Sequence, residues 1–231
     1  MTGTSRKLTI DIWSDVMCPW CLVGWGNLRQ ALDALDGEIE AELRWHAFEL
    51  NPDMPEQGEK RTAHIARKYG RTPEQSKQVQ DRMREAAQTA KVSLDYEGED
   101  PAPEAMMWNT LLAHKLLTWV GEAHGPAKQT ELKLALFEAH FNARRPIGER
   151  DVLLDIAEEV GFDRADAAAV LGGSEYTDKV RAEERAAWDM NVTGVPAMVV
   201  EGKFMIPGAQ PPEAYADALR RVAEKTEART A

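Results

Sequence analysis

The only two cysteines of this 231-residue chain, Cys18 and Cys21, stand three positions apart within "SDVMCPWCLVGWGNLRQAL", residues 14–32. Two cysteines placed at random would fall at that spacing about once in a hundred such chains, and a close pair of this kind points to thiol redox exchange or metal binding. Exchange requires a thiolate. Cys18 lies where a short apolar run gives way to a helical pattern, so the free N–H groups and positive dipole end of the helix would favour an anion there. Pro19 suits the first helical turn, where a missing N–H costs nothing. Cys21 follows one turn later on the same face, within disulfide reach and better shielded. Cys18 is therefore expected to attack and Cys21 to resolve. Trp20 brings no charge, so Cys18 is expected to be a less acidic thiol than in the strongest oxidants. A structural zinc site would need two further ligands, and His46, His64, His114, His124 and His140 include no second close pair, so no metal is expected.

Strands and a helix must hold that corner. "LTIDIW", 8–13, alternates as a strand does and "EAELRWHAFEL", 40–50, reads as a second. Between them Leu22, Trp25, Leu28, Leu32 and Leu35 recur at helical spacing, with Gly37 as the stop. From about 60 to 190 the pattern is helical almost throughout, with helices expected at 103–123, 127–144, 150–160 and 175–190. Another begins at Thr72, Pro73 and Gln75, a capping box with proline at the first position. "PAMVVEG", 196–202, and "KFMIPG", 203–208, read as two strands before a last helix from about 211, its charged tail fraying after Glu224. The order is βαβ, a helical block, then ββα. Two distant halves, 1–55 and 191–231, are expected to share one sheet, with 56–190 as an inserted helical domain. Pro196, in "NVTGVPAMVV", opens a strand in which a proline donates no hydrogen bond.

"DVMCPWC", "FELNPD" and "GVPAMVVEGKFMIPGAQPPE" together resemble the thioredoxin superfamily, and within it the DsbA-like oxidoreductases with a helical insertion, in particular the FrnE-like branch. The middle of the chain matches in helix content and length. This resemblance implies an α/β thioredoxin fold with a large all-helical insertion between the βαβ and ββα halves. It also implies a nucleophilic Cys18, a resolving Cys21, and a cis peptide at Pro196 facing the thiols. The backbone of Val195 would then pair with an extended substrate held as a mixed disulfide. Met17, Pro19 and Trp20 are candidates for the substrate surface, whereas Trp25 belongs by spacing to the core. Asp15 is a turn or cap residue, or a proton relay to Cys21.

The formal charge of −11, with 28 basic and 39 acidic residues, disfavours nucleic acid, anionic membranes and acidic substrates in general. Neither a secretory leader nor a segment of roughly 20 apolar residues is recognisable, which fits a cytoplasmic protein. The expected activity is thiol-disulfide exchange on a protein or small-molecule thiol, without a cofactor, with glutathione open as redox partner and a homodimer open as assembly. Two alternatives compete. One is a glutathione-dependent isomerase or transferase of the 2-hydroxychromene-2-carboxylate isomerase or kappa type, in which serine typically replaces the nucleophile and an Asp-Arg pair starts the last helix. The other is a non-catalytic small-ligand binding protein of a polyketide pathway.

Overall fold

The computed structural model describes residues 5–227. Strand β1 (Arg6–Ser14), helix α1 (Pro19–Ala34) and strand β2 (Ile39–Ala47) form the first unit. Strands β3 (Glu59–Lys60) and β4 (Met106–Met107), with helices α2 (Arg61–Tyr69) and α3 (Pro73–Thr89), begin the insertion. Helices α4 (Leu111–His124), α5 (Pro126–Phe141), α6 (Arg150–Glu159), α7 (Arg164–Gly172) and α8 (Glu175–Asp189) complete it. Strands β5 (Ala197–Val200) and β6 (Phe204–Pro207) and helix α9 (Pro212–Glu227) close the fold.

The main sheet runs β2-β1-β5-β6. Strand β1 pairs parallel with β2, Ile10 opposite Leu43, and antiparallel with β5, Ile12 opposite Met198. The two halves of the chain thus meet along β1 in an α/β thioredoxin-like sheet. Leu8, Ile10 and Ile12 pack with Leu28 of α1 and with Tyr215 and Leu219 of α9. Near its end β1 loses the alternation of a half-buried strand, since Ile12, Trp13 and Ser14 are all buried. The second face there is covered, with α4, α5 and α8 packing on neighbouring β2. The insertion has its own core, built on Leu116, Leu132, Leu136 and Leu153, and that core also takes in Val16 and Met17. The segment before the cysteines is therefore clamped between two packed layers.

Several expectations need correction within 56–190. The insertion is not all-helical, because Glu59–Lys60 and Met106–Met107 form a short antiparallel ladder. The helix expected over 103–123 begins only at Leu111, since Met106 and Met107 are drawn into the ladder with Glu59 and Lys60, and Asn109 Oδ1 accepts the Leu111 N–H at the helix start. Helix α7 was not foreseen, although Asp163 caps it by accepting the Ala165 and Asp166 N–H groups at 2.8 and 3.0 Å. Helix α3 carries its expected box, with Gln75 N–H donating to Thr72 Oγ1 and Thr72 N–H to Gln75 Oε1. Helix α9 runs past Glu224 to Glu227, and the rest of the tail lies outside the described residues.

Helix α1 is fixed against the end of α3 by a residue without a side chain. A Cβ at Gly26 would lie 2.3 Å from the Ala90 carbonyl oxygen and 2.8 Å from Val92 Cγ1. Alanine is the better helix former by about 1 kcal/mol, but a clash with backbone outweighs that gain. Gly26→Ala is expected to lower stability by about 1–3 kcal/mol net, read as a lower urea midpoint at unchanged slope.

Candidate active site

Cys18 is the N-cap of α1, in extended conformation at φ −83° and ψ 112°, with Pro19 following and no acidic residue in the first turn. The positive end of the helix is therefore not neutralised locally. The Cys18 carbonyl accepts the Cys21 N–H at 3.0 Å, so the second cysteine sits on the first turn, beneath the first. Both are buried, at 4% and 1% exposure, yet only Cys18 lines the adjoining cavity. The Cys18 thiol reaches the Val195 carbonyl across 3.8 Å. The Val195–Pro196 peptide is cis. Gly24 lets α1 settle on that proline, for a Cβ there would stand 2.9 Å from Pro196 Cγ.

The helical insertion supplies the other wall. Both cysteines and Leu22 pack on Phe137 of α5, with Leu134 and Phe141 alongside. One turn before Phe137 the same face carries Lys133, 1% exposed, whose Nζ lies 3.5 Å from the Ser14 carbonyl and 4.9 Å from the Phe137 ring centre. Burial drives its pKa down from 10.5 to about 8, opposed by the negative charge of Cys21, Asp15 and Cys18. Asp15, fully buried, accepts the Leu50 N–H at 2.8 Å and the Met17 N–H at 3.3 Å. His114 Nε2 faces it at 3.7 Å, an ion-pair separation too long for a hydrogen bond. Burial alone would raise the Asp15 pKa, but His114, the Leu50 N–H and Lys133 outweigh burial and hold it below the usual value. A carboxylate held in its ionised form is a proton acceptor rather than a donor, so the accepting half of a relay to Cys21 fits it. Its geometry is that of an anchor for the loops on either side of the thiols.

The two thiols titrate as a pair. Hydrogen bonding to Cys21, burial and the Cys21 charge raise Cys18 well above the ordinary thiol value. Burial also opposes ionisation of Cys21, but the Cys18 thiol and the Lys133 ammonium overcome it and lower Cys21. Ionisation of one thiol therefore opposes ionisation of the other, and the Lys133 ammonium favours the charge on the inner sulfur. The helix start by itself would favour the anion expected at Cys18. Burial counteracts the helix dipole there, and the cation sits deeper.

Cys18, Cys21, Asp15, Val195 and Pro196 are thus gathered at one corner from both halves of the chain. Met17, Pro19 and Trp20 all line the cavity, Met17 buried at 3% and Trp20 exposed at 40%. Met17 also latches the active-site loop to the insertion, its Sδ accepting the Trp108 N–H at 2.9 Å. Trp25 packs in the core at 5.8 Å from Trp45. Sequence reasoning missed Lys133. Its one signal was a charge on the apolar stripe of Leu132, Leu136 and Phe137.

A family model described as the DSBA-like thioredoxin domain matches residues 9–220. A Bacillus subtilis protein, uncharacterized protein YwbO, is 28% identical over 213 residues, covering 91% of this chain and 94% of that protein. The crystal structure of the probable DsbA oxidoreductase SCO1869 from Streptomyces coelicolor superposes with a TM-score of 0.82 at 28% identity, over 93% of this chain and 89% of that one. The cytosolic disulfide reductase DsbM from Pseudomonas aeruginosa, solved with GSH, shares the fold at 18% identity with a TM-score of 0.64, over 94% and 99% of the two chains. On a match that spans nearly its whole length, the chain belongs to the DSBA-like thioredoxin domain family.

Proposed function

We propose that the protein is a dithiol oxidoreductase that exchanges disulfides through a mixed disulfide on Cys18. The observation that carries this reading is the asymmetry of the pair, in which one sulfur borders the cavity and the other is sealed one turn away. In the reducing direction a Cys18 thiolate attacks a substrate disulfide, and the first substrate thiolate leaves. Cys18 presents its sulfur to the cavity, so its proton must first pass to Cys21 or to solvent. Cys21, ionised again beside Lys133, then attacks Cys18 Sγ. The second substrate thiolate departs, and Cys18 and Cys21 are left joined as a disulfide. The oxidising direction runs the same steps in reverse. Which direction prevails depends on the reduction potential of the pair and on the thiol pool around it.

The motifs "DVMCPWC" and "GVPAMVVEGKFMIPGAQPPE" support a place in the FrnE-like branch, and the single cysteine pair suits the cytoplasm, where structural disulfides are rare. The dithiol reading leads over glutathione-activating alternatives because Cys21 has no use in them.

A trap tests the proposal. Cys21→Ala removes the resolving thiol, so a mixed disulfide on Cys18 is expected to accumulate when the protein is exposed to substrate disulfides. Intact-mass spectrometry would show an adduct that dithiothreitol removes and that is absent when both cysteines are replaced. A Cys21→Ala protein that acquires no adduct from any disulfide would overturn the proposal.

A further inference from the structure

The cavity that opens on Cys18 has a volume of about 370 Å³ and lies between the start of α1, helices α2 and α3, and the end of α5. That size suits a small ligand. Its walls have a charge opposite to that of the chain, which carries 28 basic and 39 acidic residues. Arg61, Lys68, Arg71, Arg84 and Arg144 line it against one carboxylate, Asp95, which is already paired with Arg84 at 2.9 Å.

Three of the remaining four cations are oriented by neutral groups. Lys68 Nζ donates to the Leu50 carbonyl at 3.0 Å and to Asn51 Oδ1 at 2.7 Å. Arg71 stands 4.5 Å over the Tyr69 ring. Arg144 donates to the Pro103 carbonyl and lies 5.2 Å from the Tyr96 ring centre. Among the described residues, no carboxylate lies within 4.0 Å of Arg61, Lys68, Arg71 or Arg144. Arg61 is the most exacting case, because its Nε is buried without a hydrogen-bond partner. Burial and the neighbouring Arg144 and Arg84 hold its pKa below the usual arginine value, and an anion placed between these groups would relieve that repulsion. His140 does not add to the positive charge, since burial lowers its pKa to about 4. Ile65, Leu94, Met107 and Phe141 add apolar wall to the same cavity.

We infer that this cavity binds a small anionic disulfide, or the thiol derived from it, with its sulfur at Cys18 and its acidic groups on the cation cluster around Arg61 and Arg144. The inference rests on the dithiol reading and adds the substrate class to it. In one turnover the Cys18 thiolate cleaves RS–SR, forming Cys18–S–SR and releasing RS⁻. Cys21 then displaces the second RS⁻ and closes the Cys18–Cys21 disulfide. The disulfide is reduced by two electrons, the enzyme dithiol is oxidised by two, and the two protons of the dithiol end on the two released thiols.

The test compares oxidation of the reduced full-length protein by three disulfides: anionic glutathione disulfide, neutral 2-hydroxyethyl disulfide and cationic cystamine. Each rate is divided by that of the same disulfide with free dithiothreitol, which removes intrinsic reactivity. The corrected preference for glutathione disulfide over cystamine is expected to reach about a hundredfold at low salt and to shrink in 1 M NaCl. In a Lys68→Gln/Arg144→Gln variant the glutathione disulfide to 2-hydroxyethyl disulfide ratio is expected to fall by about tenfold, and further with Arg61→Gln. The comparison in the parent protein needs no variant, so a misfolded Arg61→Gln cannot hide the answer. Equal corrected rates for all three disulfides, or a ratio that survives the substitutions, would overturn the inference and leave the dithiol reading standing. If even the neutral disulfide failed to oxidise the pair, both would fall.

Discussion

Cys18→Ser is expected to abolish turnover, with a loss of more than about a thousandfold, because a serine hydroxyl at neutral pH supplies almost none of the anion that attacks a disulfide. Cys21→Ser should behave differently. It keeps the cavity-facing sulfur, so the first exchange still occurs and the reaction halts at the mixed disulfide. Alkylation with iodoacetamide separates the two thiols directly. Cys18 in the Cys21→Ser protein is expected to react at least about a hundredfold faster than Cys21 in the Cys18→Ser protein, since Cys21 is 1% exposed and borders no cavity. Comparable alkylation rates, or retained turnover in Cys18→Ser, would mean that the roles of the two sulfurs are misassigned. The asymmetry has a structural cause: α1 begins at Pro19, so Cys18 stands at the helix mouth while Cys21 is already pressed on Phe137.

What could be read from the sequence was whatever depended on neighbours in the chain. The helix start at Pro19, the box at Thr72 and Gln75, and the tight pair of strands on either side of Gly202 are local decisions of capping and turn chemistry. The break over 98–110 was hidden because apolar Met106 and Met107 kept a helical rhythm, while the partner strand that draws them into a ladder, Glu59–Lys60, lies far back in the chain. The site was legible only in its N-terminal half. Cys18, Cys21 and Asp15 lie within seven positions, and Pro196 announced itself by opening a strand. Lys133 reaches the thiols only after α5 folds over the sheet, 119 residues in sequence separating it from Ser14, and Arg61 reaches the cavity wall only once α2 is in place. The net charge of the chain misdescribed this wall for the same reason, since a sum over the chain says nothing about where its cations gather.

Lys133→Met is expected to slow exchange at pH 7 by about tenfold, because loss of the buried cation moves the first ionisation of the thiol pair upward. The deficit should close as pH rises, since the thiolate is then formed without help. The same substitution is expected to stabilise the protein. The folded-state pKa of Lys133, about 8, lies below its ordinary 10.5, so the unfolded chain binds that proton more tightly. Stability from this group therefore rises with pH between about 8 and 10.5, and at pH 7 its full cost, about 3 kcal/mol, is present. Methionine, similar in length and uncharged, removes that cost. Urea unfolding of the disulfide form, in which neither thiol titrates, should show the variant more stable at pH 7 and the gap narrowing by pH 10. A residue that served packing alone would give the reverse, a loss of stability at both pH values with no displacement of the rate profile. The cation costs stability in the fold and lowers the barrier to forming the thiolate, a trade that only a group acting on the inner sulfur would show.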